Sequence, residues 1–193
     1  MAAIEIVLYR SCWPEEFDQI GASLRAALGA SALRINHIGS TSVSGLPAKD
    51  VIDVQVSVAS LDLDETARHG FEGCGYPLYD ELWTDHLPSG APTDAEAWSK
   101  RMARPVTDKR RTNVHVRVAG SPNERYALLF RDYLRAHPPA AATYGQIKRE
   151  LASRHADDMD AYYAVKDPVC DLIMDAAEPW AVQSAWVLPV SDA

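Results

Sequence analysis

The chain has 193 residues and a formal net charge of −8, with 47% hydrophobic and 24% charged residues. These values are typical of a soluble globular protein of one domain, residues 1–193, and they argue against a general nucleic-acid binder, which needs a basic surface. No apolar run approaches the length of a membrane span, and three widely spaced cysteines without a C-x-x-C pair indicate reduced thiols, so we expect a cytoplasmic protein that binds no membrane.

The first 30 residues predict a lead-in segment and a helix. Residues 4–10 alternate loosely and fit an edge strand or a lead-in, and the charged residues within this run argue against a signal peptide. Pro14 suits the first turn of a helix, and Gly29 suits its end. Four apolar residues between them fall three or four positions apart, namely Phe17, Ile20, Leu24 and Leu28. We therefore expect an amphipathic helix that packs by this stripe.

A turn of small residues separates the first two predicted strands. Residues 33–38 form a short strand that ends at the turn Gly39 to Ser42, and residues 51–58 form the clearest strand of the chain. In the second strand, alternation places four apolar residues on one face: Ile52, Val54, Val56 and Val58. The opposite face carries Asp53 and Gln55, and we expect it to look into a cleft or solvent.

The middle of the chain predicts a helix, a loop and two more strands. Residues 61–76 fit a helix capped by Asp62 or Asp64, and residues 84–99 have the composition of a surface loop. Residues 99–106 and 111–118 are strand candidates. The face of the second candidate that points away from the core carries Asn113, His115 and Arg117.

The last third of the chain predicts only helices. Ser121 is expected to cap the first of them, with Glu124 three residues later, and residues 140–155 and 157–181 follow as further helices. Pro168 is expected to mark a break or a first turn. The fold class predicted from these elements is α+β, with an α/β core over residues 1–120 and a helical C-terminal part over residues 121–180.

The Gly-Ser turn carries the clearest chemical signal. Successive backbone N–H groups at such a turn bind phosphate oxygens, and the hydroxyl groups of Ser40, Thr41 and Ser42 add donors. Asp53 on the neighbouring strand would then lie near the phosphates, where a carboxylate suits Mg²⁺, and Lys49 would neutralise phosphate charge. The alternative is an ordinary turn beside a solvent-exposed strand acid.

Five stretches of the sequence resemble the GrpB family, from about Trp13 to Trp180. They are "HIGSTSVSGLPAKDVIDVQV", "TNVHV", "RYALLFRDYLRAHP", "YGQIKRELA" and "YYAVKDPVCDLI". The resemblance implies a nucleotidyltransferase-like (polymerase-beta-type) fold, with a mixed β-sheet, flanking helices and a helical C-terminal region. The family also occurs fused to dephospho-CoA kinase.

The resemblance extends to a superfamily that uses a Gly-Ser turn, an Asp-x-Asp/Glu pair and a third carboxylate on a later strand. Matched to this chain, the turn is Gly39 and Ser40, the first acid is Asp53, and Gln55 replaces the second acid. The strand that would supply the third acid offers His115 instead. The resemblance therefore implies one Mg²⁺ ion, held by Asp53 and Gln55 together with the phosphates of ATP or another nucleoside triphosphate, and His115 as a general base.

Basic residues recur where the resemblance suggests that the family keeps Lys or Arg. They are Lys100, Arg101, Arg117, Arg131, Lys148 and Lys166. As a group they are expected to converge on a triphosphate or an anionic substrate. The alternative for each one is a salt bridge on a helix surface.

Two functions are consistent with the sequence. The first is an ATP- and Mg²⁺-dependent enzyme that transfers a nucleotidyl group to an unknown small-molecule acceptor, or activates a carboxylate for amide formation. The second is a catalytically degenerate accessory domain that binds a nucleotide or a CoA-like ligand. In either case we expect a monomer or a small homo-oligomer, with Asp53 and His115 facing the same cleft.

Overall fold

The structure is a computed structural model that describes residues 3–88 and 94–193. These residues form one mixed five-stranded sheet and five α-helices. Residues 89–93, in the middle of the loop predicted for residues 84–99, lie outside the described residues. Within the described ranges, no helix is long and apolar enough to cross a bilayer.

The sheet combines antiparallel and parallel pairing. Its strands are β1 (Arg34–Ile38), β2 (Ile52–Val58), β3 (Trp83–Thr84), β4 (Ser99–Ala103) and β5 (Thr112–Val118), in the order β1-β2-β5-β4-β3. Strands β2 and β5 are parallel, and every other neighbouring pair is antiparallel. The prediction that residues 51–58 and 111–118 form neighbouring strands of one mixed sheet is confirmed.

The two faces of β2 and β5 differ as the alternation predicted. The apolar residues of β2 and β5 lie in one buried cluster with α1 (Trp13–Leu28) and α2 (Glu65–Gly73). The predicted stripe of α1 lies in the same cluster, and Asp64 caps α2 by accepting a hydrogen bond from the backbone N–H of Ala67. Hydrophobic burial on this face fixes the register, because a shift of one residue would turn every side chain over.

The polar face of the sheet is covered by the helical C-terminal part. It comprises α3 (Pro122–Ala136), α4 (Pro138–Arg154) and α5 (Met159–Gln183), which pack around their own apolar cluster. Ser121 caps α3 as predicted, since its Oγ accepts from the backbone N–H of Glu124. The Glu124 carboxylate accepts in turn from the backbone N–H of Gly120 and from Arg34 on β1, which ties α3 to the sheet.

Two expectations differ from the structure, and one open alternative is decided. Pro168 lies inside α5, which continues through it, although proline removes one backbone donor from the helix. Of the two alternatives for residues 4–10, an edge strand or a lead-in, the structure shows the lead-in, with a single bridge from Val7 to Ala48. The polar face of β2 is open only near Asp53, because Gln55 and Ser57 are fully buried.

Candidate active site

A cavity of about 440 Å³ lies between the polar face of the sheet and helices α3, α4 and α5. This volume lies within the range typical of small-molecule sites. The predicted site residues that line it are Gly39, Ser40, Thr41, Lys49, Asp53, Lys100, His115, Arg117, Lys148 and Lys166. The fold therefore brings together residues separated by more than 100 positions in the sequence.

Gly39 allows the turn to approach the carboxylate of Asp53. Its φ is +69°, in the left-handed region that favours glycine. A Cβ atom at this position would lie 2.6 Å from Oδ2 of Asp53, closer than real Cβ contacts allow. The sequence motif thus has two physical causes: a backbone turn that only glycine makes easily, and a close contact between the turn and β2.

Asp53 is held in one orientation from β5. Its Oδ1 accepts a hydrogen bond from Nδ2 of Asn113 at 2.9 Å, and Nε2 of His115 lies 3.6 Å from the same oxygen. Burial raises the pKa of Asp53, but interactions with His115 and Asn113 outweigh burial and hold this pKa below its usual value. Asp53 and His115 therefore face the same cleft, as predicted, and Asp53 is an anion at neutral pH.

His115 is a neutral imidazole whose lone pair is already engaged. Burial lowers the pKa of His115 to about 4, and the charges of Lys100 and Arg117 also lower it. Nζ of Lys100 lies 3.2 Å from Nδ1 of His115, and an ammonium group can only donate. Nδ1 is therefore the acceptor, and Nε2 carries its proton towards Asp53. This arrangement favours a positioning role over the expected role of general base.

Asp85 is a site residue that the sequence interpretation missed. It follows β3 and contacts the ammonium group of Lys100, the guanidinium of Arg117 at 2.9 Å and the Asn123 amide at 3.1 Å. Burial opposes its charge, but Arg117 and Lys100 hold the pKa of this carboxyl far below its usual range. Its partners are 15 to 38 residues away in the chain, so no local pattern could reveal it.

Gln55 does not reach the cavity. Its Oε1 accepts from Nη1 of Arg117 at 2.6 Å, its Nε2 donates to the carbonyl of Glu124, and the side chain is fully buried. An oxygen that is held by a guanidinium group is unsuited to binding a metal cation. The structure thus places the expected second metal ligand in a packing role under α3.

Lys148 approaches the Gly-Ser turn from α4. Its Nζ is 2.7 Å from Oγ of Ser40 and 2.6 Å from the carbonyl oxygen of Pro47. Only 2% of Lys148 is exposed, and burial together with the positive charges of Lys166 and Lys49 lowers its pKa to about 7. The amine can therefore exist in both protonation states near neutral pH.

Lys49 and Lys166 lie near Lys148, and we call these three lysines the basic corner of the cavity. The corner lies beside two tyrosines of α5. Nζ of Lys49 lies 3.2 Å from the hydroxyl of Tyr163 and over the rings of Tyr162 and Tyr163. Lys166 also lies over the ring of Tyr163 and pairs with Asp167 at 3.0 Å. This end of the cavity thus has more positive than negative side chains and suits an anionic group.

Three other predicted phosphate ligands have different partners. Thr41 lines the cavity, but its hydroxyl is bonded to Nε2 of the buried His37 at 3.0 Å. Ser42 turns back and donates to the carbonyl of Gly39 at 2.6 Å. Arg131 lies outside the cavity, where it binds the carbonyl of His37 and the carboxylate of Asp192. These residues stabilise the turn rather than line the basic corner.

Aromatic side chains form much of the remaining wall. They are Trp98, Tyr126, Phe130, Tyr144, Tyr162 and Tyr163. Four of these rings, Trp98, Tyr126, Phe130 and Tyr144, contact one another in turn, edge to face or stacked, and form one aromatic row along the wall. A flat heterocyclic ring would find stacking partners there.

The donor set suits at most one divalent cation. In the ranges 3–88 and 94–193, no group of three His, Cys, Asp or Glu residues is arranged to hold a metal. Asp53 presents Oδ2 to the Gly39 turn, while Asp85 is committed to Lys100 and Arg117. Two dications need several shared anionic ligands, so the side chains do not fit a two-metal site. Asp53 would offer one carboxylate oxygen to a single Mg²⁺ ion, whose other ligands would have to come from a bound molecule or water.

Comparison with known proteins gives matches over most of the chain. A family model described as "GrpB protein" matches residues 3–176. A relative from Mycobacterium tuberculosis (strain ATCC 25618 / H37Rv) named dephospho-CoA kinase is 40% identical over 189 residues, covering 90% of this chain and 44% of the relative. The chain spans about half the length of the relatives named dephospho-CoA kinase that it matches, and that name describes the longer protein.

Two solved structures share the fold. The crystal structure of the conserved protein GrpB from Enterococcus faecalis has a TM-score of 0.71 and 31% sequence identity, covering 91% of this chain and 99% of that chain. A chain of the GLD-2/RNP-8 complex has a TM-score of 0.51 and 10% identity, covering 83% and 51%. The second match is a likeness of fold alone.

Proposed function

The chain belongs to the GrpB family, and from this membership and the residues of its cavity we propose that it is an ATP-dependent enzyme that modifies a small molecule. The family resemblance and the α+β, nucleotidyltransferase-like fold expected from the sequence are both confirmed. The activity is our inference from the site, because fold alone does not determine function.

One observation carries the proposal: the Gly-Ser turn, the Asp53 carboxylate and a basic corner line the same cavity. Ser40 and Lys148 lie within hydrogen-bond distance of each other, and Asp53 lies against Gly39 on the neighbouring strand. In our proposal the phosphates of the nucleotide bind at Ser40, Lys148 and Lys49, and the base stacks on the aromatic wall.

The proposed reaction is transfer of the nucleotidyl group. An acceptor oxygen or nitrogen forms a bond to the α-phosphorus, and the bond to the β-phosphate oxygen breaks, which releases pyrophosphate. If the acceptor is a carboxylate, the product is an acyl-adenylate. An amine then attacks its acyl carbon, the bond to the phosphate oxygen breaks, and the amide forms with release of AMP and a proton. The residues of the chain bind the phosphates, orient the acceptor and exclude water.

Asp53 has the central role in this scheme. It would be the chain's ligand for one Mg²⁺ ion, which would supply neutralisation of phosphate charge when bound. Asn113 and His115 fix the Asp53 carboxylate through the two contacts to Oδ1, which leaves Oδ2 facing the turn. The commitment of Asp85 to Lys100 and Arg117 keeps those two cations from pairing with Asp53 instead.

The experiment follows the α-phosphate of labelled ATP. Purified protein is incubated with α-labelled ATP, Mg²⁺ and a protein-free filtrate of small metabolites, with Asp53→Ala as the matched variant. We expect pyrophosphate release and label in AMP or a new small molecule with the parent only. Absence of both products from the folded parent, under conditions where ATP binds, would contradict the enzymatic proposal.

A second candidate function is an accessory domain that binds a nucleotide or a CoA-like ligand without turnover. The burial of Gln55 against Arg117 favours it, because the position of the second superfamily acid is used for packing. The two candidates share the binding site and differ only in whether the α-phosphate is transferred. ATP binding without release of pyrophosphate would favour the accessory domain.

A further inference from the structure

The Gly-Ser turn contains three hydroxyl groups, and only one of them faces an amine. Thr41 is bonded to His37, and Ser42 is bonded to the carbonyl of Gly39. Ser40 lines the cavity, with its Oγ 2.7 Å from Nζ of Lys148. The chain therefore provides a serine and a buried lysine in direct hydrogen-bond contact at the wall of the cavity.

The second contact of Lys148 orients its amine. The carbonyl oxygen of Pro47, 2.6 Å from Nζ, can only accept a hydrogen bond. When Lys148 is neutral, one N–H is donated to Pro47, and the nitrogen lone pair is available to the hydroxyl of Ser40. A proton can then pass from Oγ to Nζ without any movement of the backbone.

The surroundings of Lys148 make its neutral form accessible. Lys166 and Lys49 face it from α5 and from the segment before β2, and both disfavour a third positive charge. Asp53 on β2 and Cys170 on α5 act in the opposite direction but do not overcome burial, and the pKa of Lys148 is about 7. Two further titratable neighbours, Tyr144 and Tyr162, line the same wall.

The position of Ser40 also suits attack on a substrate. Ser40 follows β1 and begins a single 3₁₀ turn, directly after the left-handed Gly39. A strand that ends in a sharp turn before a helical segment exposes a serine hydroxyl to the space above the sheet, as in the nucleophile elbow of hydrolases. Here that space is the cavity.

We infer that Ser40 is a nucleophile activated by Lys148, and that it accepts an acyl group from a small activated carboxylic acid. Oγ attacks the carbonyl carbon, its proton moves to Nζ of Lys148, and the bond from the acyl carbon to the leaving oxygen breaks. The proton then passes from Lys148 to the leaving group. Water or an amine attacks the Ser40 ester in a second step and frees the hydroxyl. Serine–lysine pairs of this kind are a known variant of the serine nucleophile.

The basic corner indicates which acyl groups fit best. Lys49 and Lys166 would attract an acyl donor that carries its own negative charge, and the aromatic wall would hold its apolar part. The inference goes beyond the proposed nucleotide chemistry and does not require it, because the step needs no ATP. Its readout is acylation of Ser40 without nucleotide, whereas the readout of the proposed function is release of pyrophosphate from ATP. Either proposal can therefore fail without the other.

The test uses 4-nitrophenyl acetate and its anionic counterpart, mono-4-nitrophenyl glutarate, with the full chain and no nucleotide. Release of nitrophenol is followed by absorbance, and the acylated residue is located by peptide mass analysis. The variants are Ser40→Ala and Lys148→Met, with Ser153→Ala as the matched control, because Ser153 lies on the same helix as Lys148 but its hydroxyl is exposed and donates to the carbonyl of Glu150 outside the cavity. We expect an ester on Ser40, faster reaction with the glutarate, and loss of about 100-fold or more in the first two variants. Ser153→Ala should react like the parent.

The pH profile gives a second readout that does not depend on a variant. The rate of Ser40 acylation should rise as the pH increases through about 7, because only the neutral amine accepts the proton. An unmodified Ser40, a hydroxylamine-resistant amide on Lys148, a profile without this step, or an unchanged rate in folded Lys148→Met would each overturn the inference. Melting curves establish whether each variant is folded.

Discussion

Gly39 meets two requirements at the residue scale. Its positive φ makes the turn after β1, and its missing side chain leaves room for Oδ2 of Asp53. Gly45 offers a comparison within the same segment. Its φ is +77°, but no heavy atom lies within 4 Å of where its Cβ would be. Backbone strain can therefore be separated from the contact with Asp53.

Gly39→Ala should destabilise the protein and also abolish ATP binding. The backbone strain costs about 1–3 kcal/mol, because φ +69° with ψ −170° is essentially restricted to glycine, and the new methyl group displaces the Asp53 carboxylate. Gly45→Ala should also strain the backbone, because its φ is positive, but it should leave ATP binding intact. Chemical denaturation and calorimetry measure the two effects. Equal ATP affinity for the two variants would contradict the role that we assign to the contact between Gly39 and Asp53.

Residue patterns predicted some of the site and missed the rest for a physical reason. Asp53 and His115 were found because strand alternation decides which side chains share a face. Asp85 could not be found, because its position depends on distant partners, Lys100 and Arg117. Sequence periodicity carries information about neighbours in one element, whereas this ion cluster is created by tertiary packing.

At the scale of elements, β2 shows how far alternation extends. Alternation places Gln55 on the same face as Asp53, but it does not predict that α3 covers Gln55 and leaves Asp53 open to the cavity. The Gln55 side chain donates to the carbonyl of Glu124 in α3 and accepts from Arg117 of β5. The same limit applies to α5, where packing keeps Pro168 inside the helix. Local propensity is overridden where a helix is held by its neighbours.

Gln55→Asp should leave the metal response of the protein unchanged. The new carboxylate is shorter, pairs with Arg117 and loses the 3.4 Å hydrogen bond to the carbonyl of Glu124, which costs about 0.5–1.5 kcal/mol. We expect a lower melting temperature in EDTA and the same rise on adding Mg²⁺ and ATP as in the parent. A larger rise with Mg²⁺ or Mn²⁺ in the variant would show that position 55 does face the metal.

At the scale of the whole molecule, two buried neutral histidines link stability to pH. Burial lowers the pKa of both His37 and His115 to about 4, against 6.5 for an unperturbed histidine. Between these values the unfolded chain binds more protons than the folded chain does. The free energy of unfolding therefore falls as the pH is lowered from about 6.5 to about 4.

Each histidine should contribute up to about 1.4 kcal/mol per pH unit within that window. Urea titrations at several pH values measure how steeply the free energy of unfolding changes with pH. His37→Gln should reduce this slope by the contribution of one histidine. A parent protein whose stability is constant from pH 6.5 to 4 would contradict the neutral, buried state of these rings.

The cavity depends on the whole molecule, since it forms where the helical part closes over the polar face of the sheet. The order of the predicted strands and helices indicated an α+β protein, and the family motifs predicted its fold. The sequence could not predict that Lys49, Lys148 and Lys166 would lie at one end of the cavity while Lys100 and Arg117 pair with Asp85. Residues of α4 and α5 meet the Gly-Ser turn only after folding. Lys148, for example, is 108 residues from its partner Ser40.

The central claim is that the basic corner binds the phosphates of ATP, and calorimetric titration with ATP and Mg²⁺ tests it most directly. The variants are Lys49→Met, which removes a cation from the cavity, and Lys109→Met, which removes one bonded to the carbonyl of Cys74 outside it. We predict saturable binding to the parent, a Kd about tenfold higher for Lys49→Met, equal to about 1.4 kcal/mol, and a parent-like Kd for Lys109→Met. No saturable heat with the folded parent, or equal weakening in both variants, would contradict the account.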